Sequence, residues 1–366
     1  MPEDAPFGVI PPDVLCADDY EAHTRARLDP GIWAWLDGPA GDGLTRRWNR
    51  EAFDRLAYAG MRMADLARFD CSVELFGRKL AHPLILAPVA YQRLLCPDGE
   101  RASAMAAAAT DTTFILSNLA SERLEDIAAL RESAPQWFQL YWQPDRGLTQ
   151  SLLQRAEAAG YAAIVLTIDA AVTGGRYALL RSGFQMPADV TAANVPANAH
   201  ATSVHDSAAT IASRHAANWR DVEWLAAQTG LPLLLKGLLT PEEARRGASA
   251  GVKGLIVSNH GGRCLDGLQP AIDALPDIVA ACGDAFPVLM DGGVSRGSDV
   301  AKALARGARA VLVGRAYAMA LAVAGPLGVA HVVRTLTEEL TIAMTLTGCM
   351  TPTDLRRLPL VSVSRA

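Results

Sequence analysis

The chain is poor in the features that mark secreted, metal-bound or nucleic-acid-binding proteins. Its six cysteines, Cys16, Cys71, Cys96, Cys264, Cys282 and Cys349, are scattered, with no Cys-x-x-Cys pair and no His/Cys ligand spacing. That disfavours a disulfide framework or a zinc site and fits reduced thiols in a cytoplasmic protein. Positive charge is not in excess: a net charge of −5 over 366 residues gives no electrostatic reason to expect nucleic acid. The first residues, Met1-Pro2-Glu3-Asp4, lack the basic-then-apolar pattern of a signal peptide. Long apolar runs are missing too. The longest, Ala316 to Ala330, contains Gly325, Pro326 and Gly328, and reads as a helix and turn rather than a membrane span. No Gly-x-Gly-x-x-Gly turn follows an early strand, which argues against a doubly wound dinucleotide-binding sheet. There is no short repeat and no low-complexity tract beyond alanine-rich helices.

What is present is a series of short apolar runs separated by amphipathic segments. Pro83–Ala87, Thr113–Leu116, Trp137–Tyr141 and Ala163–Thr167 are followed by Pro232–Leu235, Gly254–Val257, Pro287–Met290 and Ala310–Val313. Near-continuous apolar strands alternating with helices predict a parallel sheet covered on both faces, and eight such units predict a (β/α)8 barrel. The barrel is expected from about residue 81 to 366, in a single domain spanning 1–366. Helical segments over Asp18–Leu28 and Arg46–Leu66 would pack on it, and an amphipathic helix is expected over Val329–Leu346. The gap between the fourth and fifth strands is about twice the usual unit. It holds Pro187 to Asn218, read either as a lid over the barrel mouth or as a plain surface insertion.

Barrel chemistry sits at the C-terminal strand ends, and here nearly every end is polar. Ser258-Asn259-His260-Gly261-Gly262-Arg263 follows the sixth strand and offers a histidine base and an arginine around two glycines. That pair suits chemistry on a carboxylate substrate: the cation holds the anion and the base takes a proton. A strand-loop histidine with a surface arginine is the bland alternative. Asp291-Gly292-Gly293 and Gly314-Arg315, after strands seven and eight, have the form of a phosphate cup. Lys236, ending strand five, is a Schiff-base candidate, a fixed cation beside an electron-rich cofactor, or a salt-bridged rim lysine.

Taken together these residues resemble the FMN-dependent 2-hydroxy acid oxidase and dehydrogenase family, which includes glycolate oxidase, lactate oxidase and mandelate dehydrogenase. The resemblance runs from about Tyr20 to the C-terminus. It rests on Ala87-Pro88-Val89-Ala90, Pro97-Asp98-Gly99-Glu100, Phe138-Gln139-Leu140-Tyr141, Leu166-Thr167-Ile168-Asp169 and Leu235-Lys236-Gly237, with the three motifs already described. The stretches Ala87–Leu94 and Gln139–Trp142 look most like bacterial hydroxymandelate oxidases. The resemblance implies FMN as cofactor, a small 2-hydroxy acid as substrate, O2 or another electron acceptor, and a homo-oligomer, a tetramer, with no membrane or nucleic-acid partner. It implies that Pro88, Val89 and Ala90 line the flavin. Ser117, Gln139, Thr167 and Ser258 would bond its ring or ribityl chain, and Lys236 would stabilise its anionic reduced form. Asp291, Gly292, Gly293, Ser295, Gly314 and Arg315 would hold its phosphate. His260 would be the base, oriented by Asp169. Arg176 and Arg263 would clamp the carboxylate, and Tyr141 would bond the substrate near the reacting carbon. Whether hydride or carbanion chemistry follows is open at this stage.

Three departures from the family pattern bear on substrate. Trp35 stands where a carboxylate-binding tyrosine is usual, Ser295 where an arginine is usual, and Leu119 where a tryptophan is often found. Trp35 could still donate one bond from its indole N–H. Ala90 favours an oxidase, since glycine there is commoner in the monooxygenase and in mandelate dehydrogenase. The alternatives are a dehydrogenase or decarboxylating monooxygenase on the same scaffold, a lyase using Lys236, and a flavin-binding relative without turnover. Trp35, Leu119, Tyr91 and Trp142 together suggest an aromatic-walled pocket for mandelate-like acids, or simply barrel packing.

Overall fold

A computed structural model describes residues 8–65, 68–172, 174–196 and 208–363. In chain order the strands are β1 (Leu56–Tyr58), β2 (Val73–Leu75), β3 (Arg78–Leu80), β4 (Leu84–Leu86), β5 (Thr113–Ser117) and β6 (Gln136–Tyr141). They continue as β7 (Ile164–Thr167), β8 (Leu233–Leu238), β9 (Gly254–Val257), β10 (Val288–Met290), β11 (Val311–Val313) and β12 (Leu360–Ser362). All eight expected runs are strands, and β4 to β11 close into one parallel barrel with helices between them. The runs are apolar throughout because each strand has two buried faces. Ile85, Ile115, Val165, Leu234, Ile256, Leu289 and Leu312 belong to the interior core. Their neighbours Leu84, Leu86, Phe114, Leu116, Leu166 and Leu235 belong to the core shared with the helices.

The floor of the barrel is stopped by the β2–β3 hairpin. Its two-residue turn, Phe76-Gly77, has φ of +53° and +71°, the mirror-image turn that matches strand twist. The Phe76 ring meets Trp137 edge-on at 5.8 Å between centroids.

Three helices precede the barrel: α1 (Tyr20–Arg27), α2 (Pro30–Asp37) and α3 (Leu44–Asp54). A 3-10 turn over Ala17–Asp19 leads into α1, close to the expected Asp18–Leu28. The N-terminus of α2 is written locally: Asp29 accepts from the Gly31 N–H, and Pro30 opens the helix. The helix expected over Arg46–Leu66 stops at Asp54. The chain leaves it as β1, which pairs antiparallel with β12. A three-residue strand whose partner lies at the other end of the sequence has no local signature.

The expected helix over Val329–Leu346 is the second half of Arg315–Thr347, which breaks at Ala324 and Gly325 just before Pro326. By length and composition this element would cross a membrane, yet 78% of its most apolar window is buried inside the fold. In the insertion between β7 and β8, helix Ala208–His215 is described. Residues 197–207, the middle third of the segment read as a lid or a surface insertion, lie outside the described residues.

Helix Gly297–Ala305 begins hard against the Arg315–Thr347 element. A Cβ at Gly297 would stand 2.3 Å from the Leu336 carbonyl oxygen and 2.3 Å from the Leu340 nitrogen. Backbone of a buried helix cannot retreat alone. Gly297→Ala is expected to cost about 1–3 kcal/mol, read as a lower denaturation midpoint with unchanged slope. An unchanged midpoint would show that the two helices can part freely.

Candidate active site

The C-terminal ends of the barrel strands open into a cavity of about 1060 Å³, walled on one side by the N-terminal helices. That is the upper end of small-molecule sites and leaves room for a cofactor and a substrate together. The loop after β4 brings Pro88, Val89 and Ala90 to its wall, and Ser117, Tyr141, Thr167, Lys236, His260 and Arg263 come from the ends of β5 to β9.

Lys236 is buried at the end of β8. Its Nζ is 2.8 Å from Asp291 Oδ2 and donates at 2.8 Å to Ser258 Oγ. Burial opposes its charge, but Asp291 and then Asp169 outweigh burial and raise its pKa above the ordinary lysine value. An amine held this firmly as ammonium is a poor Schiff-base nucleophile, which disfavours the lyase alternative.

His260 sits with φ of +56°, in the left-handed region that a side chain enters only under constraint. Ser258 Oγ accepts its backbone N–H at 3.0 Å, and Nδ1 lies 2.9 Å from Asp169 Oδ1. Burial disfavours the imidazolium, but Asp169 more than compensates, and the ring's pKa is raised. Asp169 is lowered, because His260 outweighs its own burial. The turn is clamped from outside by a reciprocal amide pair. Asn49 Nδ2 donates to Asn259 Oδ1 at 2.9 Å, and Asn259 Nδ2 donates to Asn49 Oδ1 at 2.8 Å.

Arg176 and Arg263 both reach the last turn of α2. Arg176 donates to the carbonyls of Gly38 at 3.2 Å, Ala34 at 3.1 Å and Trp35; Arg263 donates to Trp35 O at 2.8 Å. Carbonyls orient these cations without neutralising them. Burial first, then like charge, pushes both below the ordinary arginine range; Arg315 is the first cationic neighbour acting on Arg176, and Arg176 the first acting on Arg263. A carboxylate in the cavity would relieve that strain. Trp35 therefore contributes its main chain as well as its ring. The ring lies edge-on to Tyr91 at 6.5 Å, with Arg263 5.9 Å from its centre. Tyr141 is half-buried, and desolvation raises its phenol above the usual range.

Several buried polar atoms along the expected cofactor path have no hydrogen-bond partner: both amide atoms of Gln139, Thr167 Oγ1, Asp291 Oδ1 and Arg315 Nη2. Such groups are costly unless a ligand satisfies them. A ring rich in N–H and C=O, carrying a phosphate, is a ligand of the right chemistry. Gly292, Gly293 and Gly314 reach the cavity. Gly293 is needed twice over: its φ is +80°, and a Cβ would lie 2.7 Å from Asn49 O. Arg315 also donates from Nη1 to Gly261 O at 2.8 Å. Two residues expected to touch the cofactor also have partners within the protein. Ser258 Oγ serves Lys236 and His260. Ser295 gives its N–H to Asp299 Oδ2 at 3.1 Å, beside the Arg296 N–H that the same carboxylate accepts at the start of helix Gly297–Ala305.

The residues that went unnoticed in the sequence are on α3. Besides Asn49, Arg50 Nη1 donates to Ser295 Oγ at 3.1 Å and Gly293 O at 2.9 Å, and its guanidinium pairs with Asp299 at 2.6 Å and 2.8 Å. A cation thus reaches the corner where Ser295 replaces one. Nothing in the amphipathic pattern of α3 says which loop it will meet.

The family model for FMN-dependent dehydrogenases matches residues 24–361. An L-lactate oxidase of Alicycliphilus denitrificans is 47% identical over 356 residues, covering 96% of this chain and 97% of that protein. A 4-hydroxymandelate oxidase of Amycolatopsis orientalis is 43% identical over 345 residues, covering 93% and 96%. Among solved structures, a mandelate oxidase variant with (S)-mandelic acid superposes with a TM-score of 0.89 at 40% identity, covering 96% of this chain and 99% of that one.

The orphaned amide of Gln139 gives a test that needs no turnover. Gln139→Leu is expected to leave the cofactor-free protein as stable or about 1 kcal/mol more stable, since it removes an unsatisfied buried group. The same change is expected to weaken FMN binding about tenfold by flavin fluorescence titration. Loss of apoprotein stability with FMN affinity intact would show that the amide serves the fold instead.

Proposed function

The chain belongs to the FMN-dependent dehydrogenase family and is an FMN-dependent 2-hydroxy acid oxidase, and on that premise we propose roles for its residues and a mandelate-like aromatic substrate. The observation that carries the assignment of roles is the His260–Asp169 pair at 2.9 Å beside two arginines held by uncharged carbonyls. Arg176 and Arg263 take the substrate carboxylate, which fixes the neighbouring carbon near His260 and Tyr141. Neutral His260 removes a proton, and Asp169 stabilises the imidazolium that results. FMN, when bound, accepts the two electrons. Gln139, Thr167 and Lys236 would hold its ring, and Gly292, Gly293, Gly314 and Arg315 its phosphate. Lys236, held as ammonium by Asp291, would stabilise negative charge on the reduced ring.

The aromatic preference rests on the cavity wall. Trp35 and Tyr91 meet edge-on, and Leu119 and Ile211 add apolar surface. Aryl groups gain about 0.5–1.5 kcal/mol from such rings beyond burial. Trp142 is a lesser part of this wall, because its ring is packed edge-on against Trp224 at 6.0 Å. We place the protein in the cytoplasm as a homo-oligomer; free thiols at all six cysteines support the first, and exposed Ile342 and Leu346 on the last long helix support the second.

The substrate reading is checked by kcat/KM for mandelate, 4-hydroxymandelate, lactate and glycolate with one acceptor. The aryl acids should lead, and a clear lead for lactate or glycolate overturns the aromatic pocket while leaving the reaction class. The base is checked by pH. His260 must be neutral to act and its pKa is raised, so kcat/KM should climb as pH rises above neutrality. Asp169→Asn removes the main support of the imidazolium, so the rising limb should move to lower pH while the plateau falls on the order of 10²-fold. A limb that stays in place would exclude Asp169 as the partner that sets it.

A further inference from the structure

Of the six cysteines, Cys264 is the one that lines the active-site cavity, and the reaction above gives it no task. It follows Arg263 in the turn after β9. Its sulfur, a ring nitrogen of His260 and a carboxylate oxygen of Asp169 all lie within 4.8 Å of one another. Arg263 precedes it in the chain, and Arg176 and Lys236 line the same cavity. Access together with cationic neighbours is what favours thiol oxidation. The same cations make the cluster a poor seat for a divalent metal, although its three ligand types would suit one. There is also an acceptor waiting: Asp169 Oδ2 is buried without a hydrogen-bond partner, on a side chain 10% exposed.

We propose that Cys264 is the site at which the enzyme's own product, hydrogen peroxide, reversibly arrests it. The source of peroxide rests on the oxidase activity; the chemistry at Cys264 does not. The sulfur attacks one peroxide oxygen, the O–O bond breaks and an S–O bond forms. Sulfur is oxidised by two electrons, peroxide is reduced, and one water leaves, giving a sulfenic acid. The hydroxyl so formed is directed toward the Asp169 carboxylate, one oxygen of which lies within 4.8 Å of the sulfur. A hydroxyl donating to the free Oδ2 draws charge from the carboxylate that supports the His260 imidazolium through Oδ1, and it fills space beside Arg263. A thiol restores the original state through a mixed disulfide. Peroxide formed in this cavity passes Cys264 on its way out, so the modification reports turnover that outruns peroxide removal.

The test treats FMN-loaded enzyme with a few equivalents of H2O2 in the absence of substrate, then traps sulfenic acid with dimedone and maps it by mass spectrometry. Residual activity is read anaerobically with a dye acceptor, before and after dithiothreitol. The expected result is a dimedone adduct on Cys264, a loss of at least about tenfold in rate, and recovery with dithiothreitol. Cys264→Ser, scored against its own untreated rate, should resist the same treatment. Equal sensitivity of Cys264→Ser, adducts confined to other cysteines, or full activity with Cys264 labelled would each overturn the proposal. If the variant folds poorly, the adduct map on the wild-type chain decides. Failure of every 2-hydroxy acid to bleach the flavin would overturn the proposed substrate reading and leave the adduct map standing.

Discussion

A buried ammonium at the barrel mouth is the constraint around which the site is arranged. Lys236 can stay charged inside the barrel only if anionic and hydroxyl partners come with it, because an unpaired buried cation costs several kcal/mol. Asp291 supplies the charge from the end of β10 and Ser258 the hydroxyl from the end of β9. Three neighbouring strand ends are thereby tied together. Ser258 then accepts the N–H of His260 with the same oxygen. The cation fixes the hydroxyl, the hydroxyl fixes the strained turn, and the turn aims the imidazole.

The arginines follow a different logic. A helix C-terminus exposes carbonyls with no intrahelical partner and carries partial negative charge. α2 points that end at Arg176 and Arg263, which settles their geometry while leaving their full charge to act on an anion. A carboxylate in place of those carbonyls would have neutralised them. Asp37, at the same helix end, instead faces Arg46 and Arg315. One short helix thus distributes charged and uncharged acceptors among four cations.

The barrel was legible because its strands have two buried faces: eight apolar runs at regular intervals admit few other folds. The polar strand ends were legible for a related reason, since Lys236, His260 and Arg263 interrupt apolar stretches where a core would not. What escaped was long-range. β1 is three residues whose meaning depends on Leu360–Ser362. Asn49 and Arg50 look like ordinary polar positions of an amphipathic helix until α3 is laid on the loops after β9 and β10. Ser295 stands at a phosphate position by its place in a motif, and the motif does not tell that its N–H also goes to Asp299. Hydrogen-bond assignments of this kind are decided by which neighbour arrives first in space, and spacing along the chain does not record that.

The pairing of β1 with β12 joins segments far apart in the sequence. Trp33, Trp35 and Leu36, which precede β1, likewise pack into a core built largely from later residues. Contacts between distant parts of a sequence form slowly, and apolar segments awaiting them are prone to aggregate. The N-terminal helices hold the arginines and clamp the histidine turn, so the site is complete only where these long-range contacts have closed. The barrel supplies a scaffold, and the docking of these helices turns it into a site.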